Sequence, residues 1–182
     1  SHKAAVDKNM LPAYWFDKSQ TGGGVTLDLG CHGLYMLPYY CGKPKSITCR
    51  MEELYGTGSD ELSTTVMEFE NGAMGTAVTS FVSCHGVNMM EIVGTEGMAV
   101  ISGNGPADYR VLLQSSQMPG YEKLSPVEED WQDDVYPIVR FAQLVESDEM
   151  EAPDYNLDQA ELLTRIICRA YESAGSGQTV SF

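Results

Sequence analysis

The sequence predicts an α+β fold: a predominantly antiparallel, open β-sheet with helices packed on one face. Three observations carry this. Residues 46–116 hold six runs of β character, and two pairs of those runs are joined by hairpin signals. Apolar residues recur at helical spacing over 25–40, 133–147 and 157–174. Consecutive hairpins make neighbouring strands antiparallel, and helices flanking such a meander bury their apolar stripes against the sheet.

Residues 1–20 read as irregular, with Trp15-Phe16 as an apolar anchor; Ser1-His2 is native or left from a tag. Gly22-Gly23-Gly24 ends that segment. From Val25 to Tyr40, Leu27, Cys31, Leu34 and either Tyr35 or Leu37 form a helical stripe, with Pro38 near its end and Gly42 as the stop. Strands are expected at 46–55, 61–70, 73–82, 87–94, 98–103 and 109–116. Asn71-Gly72 calls for a type I′ turn, which needs positive φ at both central residues, and Thr95-Glu96-Gly97 marks a second hairpin. Residues 117–132 read as a loop. In the helix over 133–147, Val135, Ile138, Val139, Ala142 and Val145 share a face. Asp133 and Asp134 suit its positive end, and Pro137 suits its first turn. The helix over 157–174 has Asn156 as N-cap and Gln159 in the capping-box place, and Gly175 and Gly177 end it. "TVSF" closes the chain as a short strand.

A length of 182 residues suits one domain over 1–182, with 43% hydrophobic and 20% charged residues as in ordinary globular proteins. A net charge of −15 repels nucleic-acid phosphates and anionic lipid, which sets both aside as partners. No apolar run approaches the roughly 20 residues of a membrane span, and the start is no signal peptide. The five cysteines (31, 41, 49, 84 and 168) form no CxxC pair and no disulfide pattern, so the expected setting is reducing and cytoplasmic. Zinc on Cys31, His32, Cys41 and Cys49 matches no common ligand spacing, and no metal site is assigned. Neither GxGxxG nor GxxxxGK[ST] occurs.

The chemistry gathers in "TGGGVTLDLGCH", residues 21–32. Gly22, Gly23 and Gly24 before a helix serve either as an anion-binding turn or as a tight turn that approaches another surface closely. No lysine follows, and Asp28 competes for the same positive end. Asp28 and His32, four apart, fall on one helix face. An aspartate there can orient the imidazole and leave its other nitrogen free as a base, or the two can be a dipole partner and a packed neighbour. Tyr14, Trp15, Tyr35, Tyr39 and Tyr40 either line a polyol or sugar pocket or simply pack. His85 and the acidic run 127–134 read as loop and solvated surface.

Beyond these patterns, "YWFDKSQTGGGVTLDLGCHGLYMLPYYCGKPKSIT" resembles the start of the C-terminal domain of the Gfo/Idh/MocA family, the glucose–fructose oxidoreductase and inositol dehydrogenase relatives. The likeness runs on through "FENGAMGTAVTS", "EIVGTEGMAVIS" and "GSGQTVSF", in order along nearly the whole chain. It implies a glyceraldehyde-3-phosphate-dehydrogenase-like C-terminal domain in a two-domain enzyme. An N-terminal Rossmann domain, absent from this chain, would bind NAD or NADP and supply a lysine. The C-terminal half would bind a sugar, polyol or derivative for hydride transfer and offer a sheet face for homo-oligomerisation. The implied roles are acid–base for His32, a holding group for Asp28, substrate contacts for Tyr14, Trp15 and Tyr35, and proximity to the cofactor for Gly22, Gly23 and Gly24. Many relatives carry Asp where this chain has Tyr35. The chain alone is expected to bind no NAD(P) and to turn nothing over. The sheet residues Val78, Ser80, Val82, Met90 and Ile92 are the implied subunit face. The competing reading is a non-catalytic sugar-binding or oligomerisation module, with Asp28 and His32 merely structural.

Overall fold

The computed structural model describes every residue except 1, 8, 85, 87, 105–107, 129–134 and 148–155. His85, Asp133, Asp134 and most of the acidic run therefore lie outside the described residues. The chain forms two compact units, Ser1–His85 with Glu151–Phe182, and Gly86–Met150.

In the first unit, β1 (Pro44–Glu52), β2 (Leu62–Phe69), β3 (Met74–Ser80) and the short β8 (Val180–Ser181) make one antiparallel sheet in the order β3-β2-β1-β8. Residues opposite one another, such as Cys49 and Thr65, then Thr65 and Ala77, point to the same face. Alternation sorts β2 cleanly: Ser63, Thr65, Met67 and Phe69 are buried, while Thr64 and Glu68 are exposed. The buried face carries α3 (Gly30–Cys41) and α5 (Leu157–Ser176), and Leu34, Ile47, Cys49, Met67, Phe69, Ile166 and Ala170 form the core between them. A second cluster joins Ala4, Ala5, Val25 and Phe81, so the N-terminal segment seals the start of the helical region. In the second unit, β4 (Met89–Val93), β5 (Gly97–Ser102), β6 (Arg110–Ser115) and β7 (Ser125–Pro126) form another antiparallel sheet, in sequence order. It is followed in the chain by α4 (Pro137–Glu146), none of whose residues is buried.

The α+β class and the antiparallel pairing are as expected. Several details differ. The described strands divide into two four-stranded sheets, where the hairpins suggested one meander. The first twenty residues contain a 3₁₀ turn, Ala13–Phe16, and a one-turn α1, Lys18–Thr21. The helix expected over 25–40 is divided at Leu29 into α2 (Val25–Asp28) and α3. The turn after β2 is a three-residue loop rather than a two-residue type I′ turn. Phe69 N–H pairs with Ala73 C=O, Gly72 N–H returns to Phe69 C=O, and Gly72 takes the left-handed φ of 88° that closes such a loop. The helix α4 begins at Pro137, its first-turn proline, later than 133. Asn156 caps α5 by accepting from Gln159 N–H at 2.9 Å, and Gly177 ends it at φ 69°. No helix among the described residues is long and apolar enough to cross a membrane.

Candidate functional site

The glycine run is a clamped turn. Asp17 caps α1 by accepting from Ser19 N–H (2.9 Å), and Gly22 ends it in the left-handed region at φ 81°. The chain then meets Asp60, which is only 4% exposed. Gly24 N–H donates to Asp60 Oδ1 and Thr26 N–H to Oδ2, both at 2.8 Å. Between them Val25 N–H donates to the Asp60 carbonyl, also at 2.8 Å. Tyr171, reaching in from α5, donates its hydroxyl to Oδ1 at 2.8 Å and accepts a longer bond from Gly24 N–H at 3.2 Å. A Cβ on Gly24 would stand 2.2 Å from the Asp60 carbonyl oxygen, and one on Gly23 would stand 2.1 Å from the Tyr171 hydroxyl. Backbone therefore requires glycine at position 24, and a side chain at position 23 would displace the Tyr171 hydroxyl.

Two opposed influences set the Asp60 carboxyl. Burial raises it, but the bonds donated by Thr26, Tyr171 and Gly24 outweigh burial and hold it below the usual carboxylate range. Tyr171 moves the other way: burial, then the Asp60 charge, push its hydroxyl well above the ordinary tyrosine value, so it remains a donor. The next residue repeats the device. Glu61 is fully buried and accepts from the N–H groups of Leu54 and Tyr55 (2.7 Å each) and Thr57 (3.1 Å). Ser59 donates to Phe16 C=O at 2.9 Å, tying the aromatic 3₁₀ turn to the same knot.

Above this floor lies a cleft of about 300 Å³ lined by Tyr14, Trp15, Thr21, Gly23, Gly24, Leu27 and Asp28. Tyr14 and Trp15 form its aromatic wall, with ring centroids 5.4 Å apart and planes tilted by 47°. Asp28 is its one carboxylate. Five of the residues singled out from sequence thus converge on one place. Gly22, His32 and Tyr35 are not among the lining residues. Leu29 keeps right-handed helical angles (φ −94°, ψ −30°), so Asp28 and His32 still follow one helical path a turn apart. Among the described residues no hydrogen bond or ion pair joins them. His32 is exposed. Gly30 and Gly33 turn toward Thr79 and Ala77 of β3, which leaves His32, Tyr35 and Tyr39 on the outer stripe of α3. There Tyr35 stacks on Tyr39, with centroids 6.4 Å apart. A second histidine stands in electrostatic reach of Asp28: His2, stacked on Phe81 at 4.8 Å. Burial lowers its pKa, and the Asp28 charge opposes that shift.

Sequence reasoning passed over Asp60, Glu61 and Tyr171. One signal was available: three glycine amides opening a short helix need acceptors, and "SDEL" supplies carboxylates at a strand start. The fit of a nucleotide to this turn is poor. The Gly24 and Thr26 donors are bound to Asp60, and the space beside Gly23 and Gly24 is filled by Tyr171 and Asp60, which leaves no backbone cradle for a pyrophosphate. Among the described residues no group of three His, Cys, Asp or Glu side chains is placed to hold a metal ion.

The cleft stands at the start of the helical region packed on an antiparallel sheet. The chain belongs to the GFO/IDH/MocA family: the model of its C-terminal domain matches residues 2–100. No curated protein matches the chain by sequence. Among solved structures, the aldose-aldose oxidoreductase from Caulobacter crescentus, complexed with glycerol, superposes with a TM-score of 0.79 at 17% identity, over 93% of this chain and 50% of its own. Levoglucosan dehydrogenase with NADH and L-sorbose gives 0.79 at 18% identity, over 99% and 56%. An NAD binding oxidoreductase from Klebsiella pneumoniae gives 0.80 at 16%, again over 99% and 56%. At these identities the likeness is one of fold. The chain spans about half the length of the structures it matches.

Proposed function

We propose that this chain is the substrate-binding and catalytic half of an NAD(P)-dependent oxidoreductase acting on a sugar, polyol or derivative by hydride transfer. It would be joined in the parent protein to an N-terminal Rossmann domain that holds the nicotinamide. The observation that carries this reading is the cleft itself, an aromatic wall, a carboxylate and backbone polar groups within about 300 Å³. Aromatic faces suit the C–H surface of a sugar ring, and a carboxylate suits its hydroxyls. Membership of the family adds to it, as do a glycerol complex and an L-sorbose complex among the fold relatives. Within this chain, Tyr14 and Trp15 hold and orient the ligand and Asp28 accepts from a ligand hydroxyl. His32, exposed one turn on, takes or returns the hydroxyl proton once the domains enclose the ligand. Because Asp60 already holds the Gly24, Val25 and Thr26 amides, cofactor binding belongs to the other domain, and the isolated chain is inactive. A non-catalytic module is favoured by one observation, the lack of an Asp28–His32 bond.

The test is a panel of sugars and polyols, glycerol and L-sorbose included, offered with NAD and NADP to the full-length protein while nicotinamide absorbance is followed. His32→Ala should lower kcat by on the order of 10²- to 10⁴-fold for whichever compound is used. An unchanged kcat would remove His32 from the chemistry, and no turnover of the panel by wild type would favour the binding module.

A further inference from the structure

The deepest charge near the cleft never reaches its surface. Asp60 is 4% exposed, and among the described residues no ion pair compensates it. A carboxylate buried in this way stays ionised only where donors are held against it. Here they are the Gly24 and Thr26 amides and the Tyr171 hydroxyl, each at 2.8 Å. The main chain of the same residue takes the Val25 amide. One residue therefore grips three successive amides, and the missing Cβ atoms of Gly23 and Gly24 leave no slack on the Tyr171 and Asp60 side. What is gripped is functional ground, because Gly23 and Gly24 line the cleft. Asp28, the cleft carboxylate, hangs from the same turn, its amide donating to Gly24 C=O at 3.1 Å. Any shift at Asp60 is thus transmitted through Gly24 to Asp28. Three charge-assisted bonds in fixed directions add placement, and placement to a fraction of an ångström is what a reacting group needs.

We propose that Asp60 and Tyr171 are positioning residues of the cleft, setting where Gly24 and Asp28 stand relative to a bound ligand. Neither lines the cleft; both act through the backbone. This rests on the reading of the cleft as a substrate site.

Tyr171→Phe in the full-length protein removes one hydroxyl and keeps the ring. Two readouts are taken at a temperature where circular dichroism shows the variant fully folded. Amide exchange at Gly24 and Thr26 should accelerate at least tenfold. For the compound the wild type turns over, kcat/KM should fall at least tenfold, while the KM for nicotinamide nucleotide stays within twofold. A merely structural role would leave kcat/KM per folded molecule within twofold, or would lower it together with nucleotide affinity, and either result overturns the proposal. Asp60→Asn should exceed Tyr171→Phe in both effects, and if it fails to fold, Tyr171→Phe decides. Should the wild type turn over nothing in the panel, the functional reading has failed, and the clamp stands or falls on exchange alone: unchanged protection at Gly24 in Tyr171→Phe overturns it.

Discussion

Burial alone would raise the Asp60 carboxyl above the ordinary carboxylate range, yet the bonds from Thr26, Tyr171 and Gly24 carry it below. A carboxylate depressed in the folded state contributes stability that is present above its unfolded pKa and is lost as pH falls through the folded one. Glu61, burdened by burial but held by bonds from Thr57, Leu54 and Tyr55, is depressed in the same sense. Stability should therefore fall on acidification below about pH 4, where unfolded carboxyls begin to bind protons that these two resist. Asp60→Asn should be less stable at neutral pH and show a shallower acid loss. Urea unfolding from pH 7 down to pH 3 measures both, and an unchanged acid slope in the variant would mean that Asp60 is not held low. The residue scale is also where the sequence was hardest to read. Asp60 and Gly24 are 36 positions apart, and Tyr171 and Asp60 are 111 apart. No local pattern announces contacts of that span. Asp28, Tyr14 and Trp15 were legible because each lies close in sequence to the glycine run that it joins.

At the scale of elements, one small side chain adds a buried hydrogen bond to the apolar packing of α5 on β1. Ser173 is fully buried, accepts from Cys49 N–H at 2.9 Å and donates to Gln178 C=O at 2.6 Å. It is needed because β8 pairs with β1 only at Ser46 and Ile47, which leaves the Cys49 amide facing the end of the helix. Ser173→Ala strands that amide in the interior, and the expected loss is about 1–3 kcal/mol. Denaturant unfolding with an unchanged m-value would register it, and a loss of only a few tenths would mean that another acceptor takes over. Elements themselves were readable where local chemistry dominates, as in the Asn156 cap, the Gly177 stop and the Gly72 hairpin. They were misread where packing intervened. The interruption at Leu29 falls one turn after the Asp60 clamp on the start of α2, where Gly30 presses on Thr79. β7 exists through ladder pairs with Leu112 and Leu113, which two residues of a Pro-rich loop cannot advertise.

At the scale of the whole molecule, the five residues expected to share one subunit face come from both units of the chain. Val78 is 61% exposed on β3, Ser80 is 3% exposed, and Met90 and Ile92 belong to the other sheet. On the face of the first sheet opposite α3 and α5, Thr64, Glu68, Met74, Thr76 and Val78 are exposed. A homo-oligomer through that face remains our proposal. Light scattering on the full-length protein should report more than one copy, and Val78→Arg should lower the mass; a strict monomer at high concentration would end that idea. The nucleotide prediction is also one for the whole molecule. NADH and NADPH fluorescence should saturate with the full-length protein and stay unchanged with these 182 residues. Micromolar binding by the chain alone would overturn that expectation.

By itself the sequence determined the class of fold, the family and the neighbourhood of the cleft. Strand alternation, hairpin glycines and helix caps are nearest-neighbour effects, and the glycine string before Asp28 sits within a dozen residues. Tertiary structure alone decided that the strands form two sheets, that the Gly24 amide belongs to Asp60 and Tyr171, and that Asp28 lines the cleft while His32 does not. Those outcomes depend on which distant groups can satisfy a buried donor or charge, and that is settled only when the chain has closed on itself.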